Sequence, residues 1–206
     1  MAENVRPDNY KIQAAQAKKL FLTYDQQELI ERCRLRHDDD YLYTALISYP
    51  YRICRRTGQV LLLPQMQEAD FGEVLSIFDL LCHGGQVKTV TGMLAPVNSL
   101  KGGAALGVGT DFHREFARKA DLCPEDFSRA SLACGGVPVD MGDMGFRFQI
   151  FADLPVVLKF YHSDMDFPAT VTLLWEENML QFVYYETVFY IAGVLLTRLE
   201  RAMAYV

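Results

Sequence analysis

The chain lacks the cysteine patterns of metal and redox centres. Its five cysteines are odd in number and scattered, and no two of them form a CxxC pair. This spacing fits neither a zinc ribbon nor an iron–sulfur cluster. The sequence therefore predicts no cofactor and favours free thiols in a reducing compartment, most of them packed as small core residues. They are Cys33, Cys54, Cys82, Cys123 and Cys134.

Long apolar runs are also absent. Residues 1–19 alternate polar and apolar side chains and have no continuous stretch typical of a signal peptide. The most apolar late stretch, residues 182–196, contains Glu186 and is shorter than the ~20 residues that span a bilayer. We therefore expect a cytoplasmic protein with no membrane partner.

The chain has little excess basic charge. It carries 20 Lys and Arg against 26 Asp and Glu, for a net charge of −6. Its densest basic stretch, residues 32–37, is followed at once by Asp38, Asp39 and Asp40. Such a balance opposes a general affinity for the phosphates of nucleic acid, so no nucleic-acid partner is predicted.

Apolar and aromatic residues are plentiful. Half of the chain is apolar, with 13 Phe and 11 Tyr. A chain of this length buries roughly 70% of its unfolded surface, so it can fold without disulfides or metals. Because aromatics are enriched in interfaces, a protein partner or self-association is one interpretation of this content.

Residues 1–37 are predicted to form a helical appendage. Asp25 and Glu28 have the spacing of a capping box that opens a second helix, and the acidic run at residues 38–40 marks a boundary. The main domain is then residues 41–206. Residues of the first helix recur near helical spacing at Ile12, Ala15, Lys19 and Leu22.

The main domain is predicted to be α+β. Three strands at residues 144–151, 154–161 and 169–175 follow each other too closely for crossover helices, which predicts a mostly antiparallel sheet. A long C-terminal helix spans about residues 186–203. Its apolar stripe includes Leu195 and Leu199, and Arg198 is predicted to face solvent on the opposite side. Several other helices are expected, including one opened by Asp70 and Glu73.

The C-terminal third carries motifs in a particular order. They are Leu154-Pro155-Val156-Val157-Leu158, Ser163-Asp164-Met165-Asp166-Phe167-Pro168-Ala169 and Leu173-Leu174-Trp175-Glu176. With a final helix introduced by Glu186-Thr187, they resemble a prokaryotic family known as domain of unknown function 3786. The resemblance covers residues 41–203 and implies a role in the metabolism of anaerobes.

The chain departs from the family pattern at several acidic positions. The family has a Gly-Asp-acidic-Glu-Phe-Pro turn, a strand that ends in Leu-Phe-Asp, and Glu-Asp before the last helix. Here Ser163 replaces the glycine, Met165-Asp166 the acidic pair, Trp175-Glu176 the Phe-Asp, and Thr187 the last aspartate. Some relatives are fused to an iron–sulfur segment found with corrinoid proteins, and this chain has no such cysteine cluster.

His162, Asp164 and Asp166 form the first candidate site. If the segment is extended, alternate side chains project from one face, where an imidazole and two carboxylates can hold a transition metal or act as an acid/base group. Glu186 is a possible fourth group. The alternative is a hairpin turn, in which Asp and Ser side chains bind the backbone and the shared face disappears.

A glycine-bearing stretch at residues 101–110 is the second candidate. Backbone N–H groups of Gly107, Gly109 and Thr110 can bind phosphate if they precede a helix. However, Val108 and Gly109 follow Gly107 where a P-loop has Lys and Ser or Thr, and Phe112 replaces the third glycine of a dinucleotide fingerprint.

Tyr184 and Tyr185 are predicted to line a ligand pocket or to pack as half-buried tyrosines at a strand-to-helix junction.

Three hypotheses for the function therefore remain. A non-catalytic module that binds a small molecule or a protein is favoured, because no catalytic constellation is complete. A metal-dependent or acid/base enzyme and a phosphate- or nucleotide-binding protein are the alternatives.

Overall fold

The computed structural model describes residues 9–83, 89–102 and 111–204 of the chain. It contains helices and two antiparallel sheets, which confirms the predicted α+β class with its N-terminal helical segment and long C-terminal helix. The helices are α1 (Asn9–Thr23), α2 (Gln26–Cys33), α3 (Phe71–Cys82), α4 (Asp111–Leu122), α5 (Pro124–Ala133) and α6 (Tyr185–Ala204). In the described part of the chain, no helix is long and apolar enough to cross a membrane.

The first sheet is built from the N-terminal half of the chain. Its five strands pair in sequence order, each antiparallel to the next. They are β1 (Arg36–His37), β2 (Tyr41–Leu46), β3 (Tyr49–Cys54), β4 (Val60–Leu62) and β5 (Gln67–Glu68).

The second sheet has the strand order β6-β10-β9-β8-β7 and is also antiparallel. The three consecutive strands predicted from the sequence are its centre, so that prediction is confirmed. The strands are β6 (Leu94–Pro96), β7 (Val137–Pro138), β8 (Met144–Phe151), β9 (Leu154–Tyr161) and β10 (Thr170–Glu176).

Capping side chains fix where α2 and α3 begin. The Asp25 carboxylate accepts the backbone N–H groups of Gln27 and Glu28, and Asp70 and Glu73 form a complete capping box. Side chains that satisfy the free N–H groups at a helix start are worth about 1 kcal/mol each. The sequence had predicted both of these helix starts.

The N-terminal helices pack into the same hydrophobic core as the rest of the chain. Phe21 of α1 is fully buried and stacks on Phe78 of α3 with 4.8 Å between ring centroids. Leu29 of α2 is also fully buried. Hydrophobic contacts therefore cross the predicted boundary between residues 1–37 and 41–206.

The prediction for α6 was right for its apolar stripe and wrong for Arg198. Val188, Leu195 and Leu199 are buried, but so is Arg198, with only 8% of its surface exposed. Its guanidinium donates hydrogen bonds to the backbone carbonyl of Leu46 and to the Glu73 carboxylate. The charge is thus balanced inside the core and does not face solvent.

Candidate functional site

His162 lies at the end of β9 and is held by an aspartate that the sequence did not point to. Its Nδ1 is 2.8 Å from Oδ1 of Asp121, at the end of α4, and the Ser163 hydroxyl donates to Oδ2 of the same carboxylate at 2.6 Å. These hydrogen bonds, that of Ser163 first, lower the pKa of Asp121. The backbone N–H of His162 donates to Asp143. Asp121 is 41 positions away from His162, so no local spacing reveals the pair.

Asp164 and Asp166 do not join His162. Oδ1 of Asp164 accepts the backbone N–H groups of Asp166 and Phe167, both at 2.8 Å, and so closes a turn. The turn removes the face that an extended segment would have shared. Glu186 lies in the first turn of α6. Within the described residues, no group of three His, Cys, Asp or Glu side chains is arranged to hold a metal ion, so the metal-site hypothesis has no geometric support there.

The predicted anion site at Gly107, Gly109 and Thr110 lies outside the residues that the structure describes. It stays a prediction.

The tyrosine pair separates at the start of α6. The Tyr184 side chain is well exposed and meets the His83 ring edge-on, with 4.2 Å between centroids. Tyr185 packs against Phe189 of its own helix. Tyr184 therefore lines a cavity, whereas Tyr185 packs along α6, and contact of either residue with a ligand stays a prediction.

The cavity at Tyr184 is small and is lined by aromatic and aliphatic side chains, and we call it the aromatic cavity. It has a volume of about 170 Å³ and lies between α1, the end of α3 and the start of α6. The Tyr24 hydroxyl donates to the backbone carbonyl of Cys82, and Asp79 accepts the backbone N–H of Tyr184. The residues that line it are Ala17, Leu20, Tyr24, Leu75, Phe78, Asp79, Cys82, His83, Tyr184 and Thr187.

The phenol of Tyr24 is electrostatically perturbed. Burial raises the pKa of Tyr24, and the nearby Cys82, Tyr184 and Asp79 raise it further, while Arg32 opposes them. The hydroxyl therefore stays protonated at neutral pH, where it remains a hydrogen-bond donor to the Cys82 carbonyl.

A larger cavity lies on the other side of the α3 end, and we call it the arginine cavity. Its volume is about 330 Å³, which falls within the ~300–1,000 Å³ of small-molecule sites. Two guanidiniums, a carboxylate and a mainly apolar wall meet there. The residues that line it are Arg32, Cys33, Arg34, Leu80, Thr89, Val90, Phe151, Ala152, Asp153, Leu154 and Phe182.

Two residues of the arginine cavity have a strained backbone. Arg34, which ends α2, has φ 50°, and Ala152, in the turn between β8 and β9, has φ 42°. A positive φ costs a residue with a side chain roughly 1–2 kcal/mol, and such strain is often stored at functional sites. Here both strained residues, Arg34 and Ala152 of the β8–β9 turn, line the same cavity.

The two arginines differ in their bonding. Arg32 donates to the backbone carbonyl of Leu81 and to the Glu28 carboxylate. Arg34 is exposed, and its guanidinium has no hydrogen bond or ion pair with another described residue. Arg34 is thus the cation at this cavity that is available to a ligand.

The structure defines an α+β protein with two antiparallel sheets and two cavities beside the end of α3. A family model described as "Domain of unknown function (DUF3786)" matches residues 25–198, which is most of the chain. The chain therefore belongs to this family, and the predicted resemblance is confirmed. Neither a search of curated proteins nor a search of solved structures gave a match.

Proposed function

We propose that this chain is a non-catalytic cytoplasmic module that binds a small organic monocarboxylate in the arginine cavity. The observation that carries the proposal is Arg34, whose backbone has a positive φ and whose exposed guanidinium lines a cavity of about 330 Å³. A guanidinium matches the planar, two-oxygen geometry of a carboxylate. The anaerobic prokaryotic context comes from the family resemblance alone.

The cavity wall favours a ligand with an apolar body. Leu80, Phe151, Leu154 and Phe182 supply aliphatic and aromatic surface beside the guanidiniums. Burying apolar ligand surface is worth about 25 cal/mol per Å². A compact inorganic anion would leave this surface in contact with water, so a carboxylate that carries a hydrophobic group fits better.

The charge balance favours a ligand with a single negative charge. Arg32 and Arg34 face the cavity together with Asp153, so that the excess is one positive charge. The Glu28 carboxylate that pairs with Arg32 is exposed and does not line the cavity, so it is not part of this balance. A di- or triphosphate would bring several negative charges close to Asp153 without matching cations.

Titration calorimetry with benzoate and hexanoate, against their uncharged amides, tests the proposal. We expect the acids to bind and the amides to bind at least about tenfold more weakly, since a hydrogen bond to a charged group contributes roughly 1.5–3 kcal/mol. Arg34→Gln should abolish this preference. Arg36→Gln is the matched control, because Arg36 lies two positions away and contacts the Tyr43 ring.

The proposal is overturned if neither acid binds, or if Arg34→Gln binds both acids as tightly as the unaltered chain does. A Phe182→Ala variant distinguishes the contribution of the apolar wall to the affinity from that of the charge. It should weaken hexanoate and benzoate while keeping their preference over the amides.

An acid/base enzyme remains a second candidate, and the hydrogen bond between His162 and Asp121 favours it. A carboxylate that binds one imidazole nitrogen orients the ring and leaves the other nitrogen to exchange protons. Hydrolysis of p-nitrophenyl esters is a simple assay for such a group. Activity that falls in His162→Gln and Asp121→Asn, but not in the control His37→Gln, would support this function. If His162→Gln and Asp121→Asn hydrolyse the ester as fast as the unaltered chain does, this chemistry is excluded.

A further inference from the structure

The aromatic cavity presents rings from three separate elements to one small volume. Tyr24 follows α1, Phe78 lies on α3, and Tyr184 immediately precedes α6. His83, at the end of α3, completes the set and contacts Tyr184 edge-on. The face of an aromatic ring carries negative partial charge, so several rings around one volume attract a cation.

Asp79 supplies a formal negative charge at the cavity wall. Its Oδ2 accepts the backbone N–H of Tyr184 at 2.8 Å, which fixes the carboxylate at the junction of α3 and α6. The same negative charge contributes to the raised pKa of Tyr24. Arg32 also acts on Tyr24, but its guanidinium is bound to the Leu81 carbonyl and lines the other cavity.

The size and lining of the cavity restrict the ligand further. Its volume of about 170 Å³ is smaller than the ~300 Å³ at which drug-sized pockets begin, so it accepts a head group or a very small molecule. Leu20 and Leu75 add aliphatic surface, which favours methyl groups over a strongly hydrated primary ammonium ion.

We propose that the aromatic cavity is a second binding site, and that its ligand is a small methylated ammonium ion. The ring faces of Tyr24 and Tyr184 contact the methyl groups, and Asp79 compensates the charge. This site shares no lining residue with the arginine cavity. It can therefore be present whether or not the carboxylate site is.

A comparison of choline with 3,3-dimethylbutan-1-ol tests the proposal, because the alcohol has the same shape and no charge. Binding is measured at pH 8 by titration calorimetry and by saturation-transfer NMR, with tetramethylammonium as a third probe. We expect choline and tetramethylammonium to bind. The affinity of the alcohol should be lower by a factor of about ten or more, because it lacks the cation–π and carboxylate attraction.

Two variants locate the site. Tyr184→Ala removes a ring that is 60% exposed, so the fold should survive, and Asp79→Asn keeps an oxygen that can accept the Tyr184 N–H. Both should weaken choline at least several-fold. Tyr161→Ala, which removes an exposed tyrosine at the end of β9, is the control and should leave binding unchanged.

The proposal is overturned if neither cation binds, if the alcohol binds as tightly as choline, or if Tyr184→Ala binds choline normally. Thermal unfolding of each variant verifies that a loss of binding is not a loss of fold. If Asp79→Asn unfolds, Tyr184→Ala alone still decides the question.

Discussion

Arg198 on α6 donates a hydrogen bond of 2.8 Å to the carboxylate of Glu73 in the first turn of α3, and both side chains are largely buried. Glu73 also accepts the Tyr51 hydroxyl at 2.6 Å and the backbone N–H of Asp70. The guanidinium lies over the Tyr49 ring, 4.1 Å from its centroid. One buried cluster thus links two helices to the first sheet.

Arg198→Met is expected to destabilise the protein by about 3–5 kcal/mol. The substitution keeps much of the side-chain volume but leaves Glu73 as a buried charge without its cation, and removal of one partner of a buried pair costs about this much. It also leaves the Leu46 carbonyl without its donor. The free energy of unfolding in urea measures the effect.

Arg201→Met is the matched control on the exposed side of the same helix. It should change the free energy of unfolding by no more than about 0.5 kcal/mol, as surface substitutions do. An Arg198→Met protein that is as stable as the control would show that the buried pair contributes nothing. Adding Glu73→Gln to Arg198→Met should recover part of the loss, because it removes the uncompensated charge.

Periodicity predicted the apolar stripe of α6 but not the place of Arg198. The residue is seven positions after Ile191 and three after Leu195, so it lies on the buried side of the helix by geometry. The sequence interpretation instead grouped it with the charged residues on the side opposite the apolar stripe. Its partner Glu73 is 125 positions earlier in the chain, and no local pattern shows that contact.

The candidate sites show the same limit. The sequence predicted either an extended segment or a turn closed by the Asp164 side chain. The turn is the one that forms, because Asp164 accepts the N–H groups of residues two and three positions later. The Asp121 partner of His162 depends on how α4 packs against the second sheet, which the sequence alone does not give. Likewise, the arginine cavity combines Arg34 with Phe182, which only the packing of the α2 end against the segment before α6 brings together.

Two glycines should respond in opposite ways to alanine substitution. Gly193 lies within α6 with nothing within 4 Å of an added Cβ, so Gly193→Ala should stabilise the protein by about 0.5–1 kcal/mol. Gly142 has φ +71°, and a Cβ there would be 2.5 Å from the Phe160 carbonyl oxygen. Gly142→Ala should therefore destabilise by at least about 2 kcal/mol. Thermal and urea unfolding compare the two, and equal effects would contradict the local geometry.

Asp121 should make the protein more sensitive to acid. Hydrogen bonds from Ser163 and His162 lower its pKa in the folded state relative to the unfolded state. The resulting stabilisation is fully present above the unfolded pKa of about 3.9 and is lost as the pH falls through the folded pKa. Urea unfolding between pH 2 and 6 should show this loss in the unaltered chain.

The Asp121→Asn variant should be less stable than the unaltered chain at pH 6, and the difference should shrink as the pH falls. Ser163→Ala should give a smaller change in the same direction, because it removes the hydroxyl that lowers the pKa of Asp121 most but keeps the hydrogen bond from His162. Asp140→Asn, at an exposed position before β8, is the control. A constant difference between the Asp121→Asn and unaltered proteins across this range would contradict the assigned hydrogen bonds.

Cys54 should be alkylated at a lower pH than an ordinary thiol. Hydrogen bonds lower the pKa of Cys54, that of the Thr57 side chain first, followed by the backbone N–H groups of Arg56 and Thr57. Burial raises the pKa of Cys134, so that thiol should stay unmodified in the folded protein. Because the thiolate is the nucleophile, the rate of iodoacetamide modification against pH, resolved by peptide mass spectrometry, reports each site. Thr57→Val should move the pH midpoint of Cys54 modification to a higher value, whereas the control Thr170→Val in β10 should leave it unchanged. A pH midpoint for Cys54 at or above ~8.5 in the unaltered chain would refute the assignment.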